Sequence, residues 1–250
     1  MERIYARSRS IRDNATPFCP GCLHGVASRL VAETLDELGV ASDTVGVLPV
    51  GCATLAYAFW AIDTIHSAHG RAPAVATGVK RSSPERTVFT YQGDGDCAAI
   101  GTAEIIHCAN RGENLVSLFI NNSIYGMTGG QMAPTTLTGM RATTAPRGRN
   151  PQSEGFPMKM CEILSQLEAP YYIARFSLNS AANINQAKAG IQKAFKYQLE
   201  GRGFCFIELL SNCPTNWGVS PLDSLKWMEQ NTMPIFPLSV FRDRGSEHEA

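Results

Sequence analysis

The apolar residues of this chain fall into short, nearly unbroken runs, separated by stretches in which they recur every three or four positions. The runs at 44–50, 87–92, 115–120, 171–176 and 204–210 are rich in β-branched, aromatic and leucine residues. Runs of that length predict parallel strands buried on both faces. Between them, His24 to Leu38 carries Val26, Leu30, Val31, Leu35 and Leu38 on one helical face and is closed by Gly39. Cys97 to Asn110, Met158 to Glu168 and Ile184 to Leu199 also read as helices. Strands alternating with helices predict an α/β fold, a mainly parallel sheet flanked by helices in a single domain. That domain is expected at 18–222, with an N-terminal arm at 1–17 and a C-terminal docking extension at 223–250 that carries Trp227.

One stretch concentrates the polar exceptions. From Val88 to Gln131 the pattern is strand, Gly93-Asp94-Gly95-Asp96 turn, helix, strand, then Asn121-Asn122. A βαβ unit brings both strand ends to one sheet edge, where ligands of open α/β sheets sit. Glycines let the backbone approach an anion, and the helix beyond offers free N–H groups to a phosphate. Two carboxylates in that turn would repel a bare phosphate, so a cation is expected between them. Mg²⁺ takes oxygen ligands and shares phosphates with one or two carboxylates. Asp94 and Asn122 can grip one such ion from two sides, and the Ile124 carbonyl can add a third ligand. Taken singly, Asp-Gly and Asn-Asn are ordinary turn chemistry; together, at the ends of adjacent strands, they predict a metal-assisted diphosphate site.

Composition narrows the class. At 250 residues, the chain suffices for one large domain. A net charge of zero argues against nucleic-acid binding. No apolar run reaches the roughly twenty residues of a membrane span, and the arginines near the start have no apolar segment behind them. A cytoplasmic protein is expected. The loop from Met132 to Pro157 is long enough to suggest a functional rim.

Eight cysteines remain to be explained. Cys97, Cys108, Cys161 and Cys205 sit in apolar helix or strand patterns and read as core packing. Cys19, Cys22, Cys52 and Cys213 lie in turns beside glycine or proline. Four thiolates from such turns can surround an iron–sulfur cluster or a zinc ion, and a redox or structural CxxC also fits the spacing.

The segments YQGDGD, AEIIHCANRGEN and NNSIYGMTGGQMAPTT resemble the β subunit of the 2-oxoacid:ferredoxin oxidoreductases, over nearly the whole chain. The resemblance implies thiamine diphosphate and Mg²⁺, with Asp94, Asn122 and Ile124 on the metal and Gly93, Gly95, Asp96 and Thr128 along the diphosphate. It implies a [4Fe–4S] cluster on Cys19, Cys22, Cys52 and Cys213. His69, in His69-Gly70-Arg71, matches a family motif near the thiazolium ring. His66 is expected on a helix without a site role, and His24, His107 and His248 carry no functional expectation.

The implied activity is CoA-dependent oxidative decarboxylation of a 2-oxoacid to acyl-CoA and CO₂, with electrons leaving through the cluster to ferredoxin. A separate α subunit is expected to supply the pyrimidine side of the active site, with γ and ferredoxin-like δ subunits as further partners. Leu55 and Gly129 stand where some relatives carry lysines, and SNCPTNWG looks most like the branched-chain members. The expected substrate is therefore 3-methyl-2-oxobutanoate, with 2-oxoglutarate the alternative. Rival readings are a non-oxidative thiamine-dependent decarboxylase subunit and a zinc-stapled interaction subunit.

Overall fold

A computed structural model describes residues 6–247; 1–5 and 248–250, His248 among them, lie outside the described residues. The five expected strands form as β1 (Thr44–Leu48), β3 (Thr87–Gly93), β4 (Val116–Asn121), β5 (Tyr172–Ser177) and β6 (Cys205–Leu210). Two strands were not anticipated, β2 (Asp63–His66) and β7 (Ser239–Asp243). The sheet order is β2-β1-β3-β4-β6-β5-β7. Every pairing is parallel except that of β5 with β7. His66 thus ends an edge strand instead of lying on a helix. Only four residues long and mostly exposed, β2 lacks the apolar run that marks buried strands.

Side chains alternate across the sheet, as strand geometry requires. Phe89, Tyr91, Leu118 and Ile207 face α1 (His24–Glu37) and the later helix Ala181–Leu199. Val88, Phe119 and Phe206 face α2 (Ala72–Ser82), α3 (Thr102–Asn110) and the helix Met160–Leu164. The result is a three-layer α/β/α body in which Cys97, Cys108, Cys161 and Cys205 are fully buried core residues.

Two local features depart from regular expectation. The helix expected from Cys97 is split into a π-type turn, Asp96–Ile100, and α3. Such turns cluster at functional sites. The helix expected at Met158–Glu168 is confined to Met160–Leu164.

The C-terminal segment is tied to the sheet by charge as well as by β7. Arg175 on β5 is fully buried, and its Nε donates to Glu208 Oε2 on β6 at 2.8 Å. Its terminal nitrogens reach Glu162 and the Pro237 carbonyl. Phe236 and Phe241 flank its guanidinium, a cation–π arrangement.

Candidate active site

Because the first six strands are parallel, their carboxyl ends share one edge of the sheet. There β1 leads to Cys52, β2 to His69, β3 to Asp94 and Asp96, β4 to Asn122, and β6 to Cys213. Two neighbouring cavities open at this edge.

The smaller, about 100 Å³, is lined by Gly93, Asp94, Gly95, Asp96, Asn122, Ile124, Thr128 and His69 together. Asp94 is 2% exposed. The Thr135 hydroxyl donates to its Oδ2 at 2.6 Å and the Gly95 N–H to its Oδ1 at 2.9 Å. Burial pushes the Asp94 carboxyl up to about 6, against the opposing pull of those neutral donors. A buried acid held by neutral donors, beside an asparagine, has the chemistry of a divalent-cation site. The residues therefore fit Mg²⁺ with a diphosphate.

Backbone geometry shapes the same cavity. Ser123 is the sole described non-glycine residue with positive φ, at 61°. Its carbonyl is held by the Thr136 hydroxyl at 2.6 Å, and the Ile124 N–H donates to Asn122 Oδ1 at 3.2 Å. That left-handed turn brings Asn122 and Ile124 round to one cavity, a conformation sustained only where the surroundings enforce it. At Gly95 any Cβ would collide with the Tyr125 ring, whose hydroxyl donates to the Gly95 carbonyl at 3.2 Å.

The second cavity, about 400 Å³, is lined by Cys19, Cys22, Cys52 and Cys213. A Cβ at Gly126 would lie 3.3 Å from Cys52 Sγ and 3.5 Å from Cys213 Sγ. Burial, reinforced by the neighbouring cysteines, pushes the Cys22 thiol up to about 12 and the Cys52 thiol up to about 11. Cys213 is also raised by burial, although its sulfur accepts from Asn216 Nδ2 at 3.2 Å. The thiols ring the cavity; among the described residues no three His, Cys, Asp or Glu side chains converge closely enough to hold a single metal ion. Asn212 joins the distant parts: its Oδ1 accepts from the Leu23 N–H at 3.0 Å and its Nδ2 donates to the Gly21 carbonyl at 3.1 Å. The early cysteine turn is thereby clamped to the end of β6.

Residues 49–209 match the family model of the thiamine pyrophosphate enzymes, C-terminal TPP-binding domain. The chain is 36% identical over 224 residues to the 2-oxoglutarate synthase subunit KorB of Methanocaldococcus jannaschii, covering 87% of this chain and 78% of that one. This chain belongs to the thiamine pyrophosphate-binding subunits of the 2-oxoacid oxidoreductases. Within that family it is 44% identical over 249 residues to the ketoisovalerate oxidoreductase subunit VorA of Methanothermobacter thermautotrophicus. That match takes in 100% of this chain but 52% of the relative, so the chain spans about half the length of that subunit. Among solved structures, the 2-oxoglutarate:ferredoxin oxidoreductase from Magnetococcus marinus, with 2-oxoglutarate, coenzyme A and succinyl-CoA bound, superposes with a TM-score of 0.76 at 27% identity. It covers 91% of this chain and 73% of its own.

For a thiamine pyrophosphate-binding subunit, several contributors escape a reading of the sequence. Thr135 is one threonine among several in the Met132–Pro157 loop and reaches Asp94 only because that loop folds back. Nothing local marks Ser123, Asn212 or Gln92, whose amide donates to Asp96 Oδ2 at 2.6 Å. His24 is 1% exposed and lines both cavities, with its Nδ1 2.8 Å from the Tyr91 hydroxyl and its ring stacked on Phe18. Arg71 pairs with Glu104 at the site's margin.

Proposed function

We propose that this chain is the diphosphate-binding subunit of a 2-oxoacid:ferredoxin oxidoreductase that converts a 2-oxoacid and coenzyme A to acyl-CoA and CO₂. The observation that carries the reading is the wall shared by the two cavities. His24, Cys52, Asn122, Gly126 and Met127 line both, so a diphosphate cofactor and a cluster would sit side by side. When bound, thiamine diphosphate supplies the electron sink for decarboxylation, and a [4Fe–4S] cluster supplies an adjacent one-electron acceptor.

The chain's own residues have distinct tasks in this reading. Asp94, Asn122 and the Ile124 carbonyl hold Mg²⁺, while Gly93, Gly95 and Thr128 border the diphosphate. Cys19, Cys22, Cys52 and Cys213 hold the cluster; a ring of thiols round a cavity suits a body larger than one ion, which favours a cluster over zinc. An α subunit covers the remaining side of the cofactor. Val50 and Met127 line the diphosphate cavity yet are 45% and 48% exposed, apolar surface of the kind a partner covers. Ferredoxin or a ferredoxin-like δ subunit receives the electrons, and a γ subunit completes the assembly. Among the described residues no helix is long and apolar enough to cross a membrane; we place the complex in the cytoplasm.

The favoured substrate is 3-methyl-2-oxobutanoate. Leu55 and Gly129 line the cluster cavity without charge, and the 44% identical relative is a ketoisovalerate oxidoreductase subunit. The second reading, 2-oxoglutarate, is favoured by the names of the Methanocaldococcus jannaschii and Magnetococcus marinus proteins. Anaerobic purification of the assembled complex with iron, sulfide and thiamine analysis tests the cofactors. A colourless preparation carrying zinc would overturn the redox assignment. Turnover of the two acids with ferredoxin then decides the substrate, and a preference for 2-oxoglutarate reverses it.

A further inference from the structure

The second carboxylate of the Gly93–Asp96 turn is built into the protein differently from the first. Asp96 is 2% exposed, and both its oxygens are occupied by protein donors. Oδ1 accepts from His69 Nδ1 at 2.6 Å, from the Gly70 N–H at 2.7 Å and from the Val50 N–H at 3.4 Å. Oδ2 accepts from Gln92 Nε2 at 2.6 Å. A carboxylate surrounded by N–H groups is an acceptor only. The hydrogen of its bond to the imidazole therefore resides on Nδ1, and in that tautomer Nε2 carries the free lone pair. Nε2 makes no hydrogen bond to a described residue, and His69 is 31% exposed and lines the cavity beside Asp94.

Backbone contacts lock this arrangement. Gly70 has φ +78°, and a Cβ there would collide with the Ile100 and Gly101 backbone. The Gly101 N–H in turn donates to the Asp96 carbonyl at 2.8 Å, closing the π-type turn. The loop after β2 is thus pressed on the turn after β3, with the Asp96–His69 bond between them.

We infer that Asp96 is a positioning residue for His69, holding it in the Nδ1–H tautomer with Nε2 presented to the reacting groups in the cavity, and not a ligand of the diphosphate or its metal. This deepens the proposed function and rests on it for the identity of those groups. In the reaction, Nε2 takes the proton of a bound O–H or S–H group, leaving that oxygen or sulfur as the anion, and Asp96 stabilises the imidazolium that results. Carboxylates that orient a metal-bound histidine matter about 10–100-fold, and a loss of that order is expected for the same geometry here.

The test has a spectroscopic and a kinetic arm. In the full chain with ¹⁵N-labelled histidines, the His69 signals, assigned by their loss in His69→Gln, are expected to be those of an Nδ1–H ring. Asp96→Asn is expected to shift that tautomer. In the assembled complex it lowers kcat about 10- to 100-fold with Mg²⁺-dependent thiamine diphosphate affinity unchanged, whereas Asp94→Asn abolishes that affinity. The Asp96→Asn/His69→Gln double variant loses no more activity than the worse single variant. Weakened cofactor binding in Asp96→Asn matching that of Asp94→Asn overturns the inference, as does an unmoved tautomer or an additive double variant. If the wild-type complex binds no thiamine diphosphate, the functional reading fails, and the tautomer measurement still decides the Asp96–His69 pair.

Discussion

The Thr135 hydroxyl donates a 2.6 Å hydrogen bond to Asp94 Oδ2 across 41 positions of sequence. It orients a carboxylate that burial alone would leave costly to ionise. Thr135→Val should therefore raise the Asp94 pKa further and weaken Mg²⁺-dependent thiamine diphosphate binding roughly 10- to 100-fold, the usual cost of losing an outer-shell partner. Calorimetric titration of the complex with the cofactor, at fixed Mg²⁺, measures it. Undiminished affinity would mean that Asp94 needs no such support.

The two classes of cysteine should separate by substitution. Serine at Cys19, Cys22, Cys52 or Cys213 should abolish or degrade the brown absorbance of an anaerobic preparation and its acid-labile sulfide. Alanine at Cys97, Cys108, Cys161 or Cys205 should leave both intact, because these thiols are core residues. Their cost should appear only in thermal stability, as a small loss of packing.

Arg175→Met should destabilise the chain by about 3–5 kcal/mol, because it strands Glu208 in a fully buried position. Asn121 Nδ2, donating to Glu208 Oε1 at 2.8 Å, cannot replace the lost charge. Urea unfolding followed by circular dichroism reads the loss. The companion Arg175→Met/Glu208→Leu variant should recover much of it, since no charge is then stranded between the strands and Glu162, 34% exposed, can turn to water.

The N-terminal arm should respond to acid. Asp36 accepts from the Ser8 and Ser10 hydroxyls and the Arg9 N–H, each at 2.6 Å. Desolvation pushes its carboxyl up, but these hydrogen bonds outweigh it and hold the pKa below the ordinary value. A depressed carboxyl contributes stability that is full above the unfolded value, about 3.9, and is lost as pH falls through the folded value. Amide exchange at Arg9 and Ser10 should accelerate selectively on acidification, after correction for intrinsic rates. Asp36→Asn should produce the same local loosening at neutral pH.

Much of the fold and the outline of the site were legible in the sequence, because both rest on local signals. Buried parallel strands appear as apolar runs, and turn residues mark the strand ends, so five strands, Asp94, Asn122 and the four turn cysteines could be named from the pattern. The edge strands β2 and β7 were missed because an exposed or antiparallel edge carries no such run. Only the tertiary structure decided that β6 lies beside β4, which carries Cys213 to the cavity of Cys52, and that β2 lies outside β1, which carries His69 to Asp96. Strand order is set by packing among elements far apart in sequence. A carboxylate's partners follow from that order, so Asp94 and Asp96, two residues apart in one motif, face different donors and take different tasks.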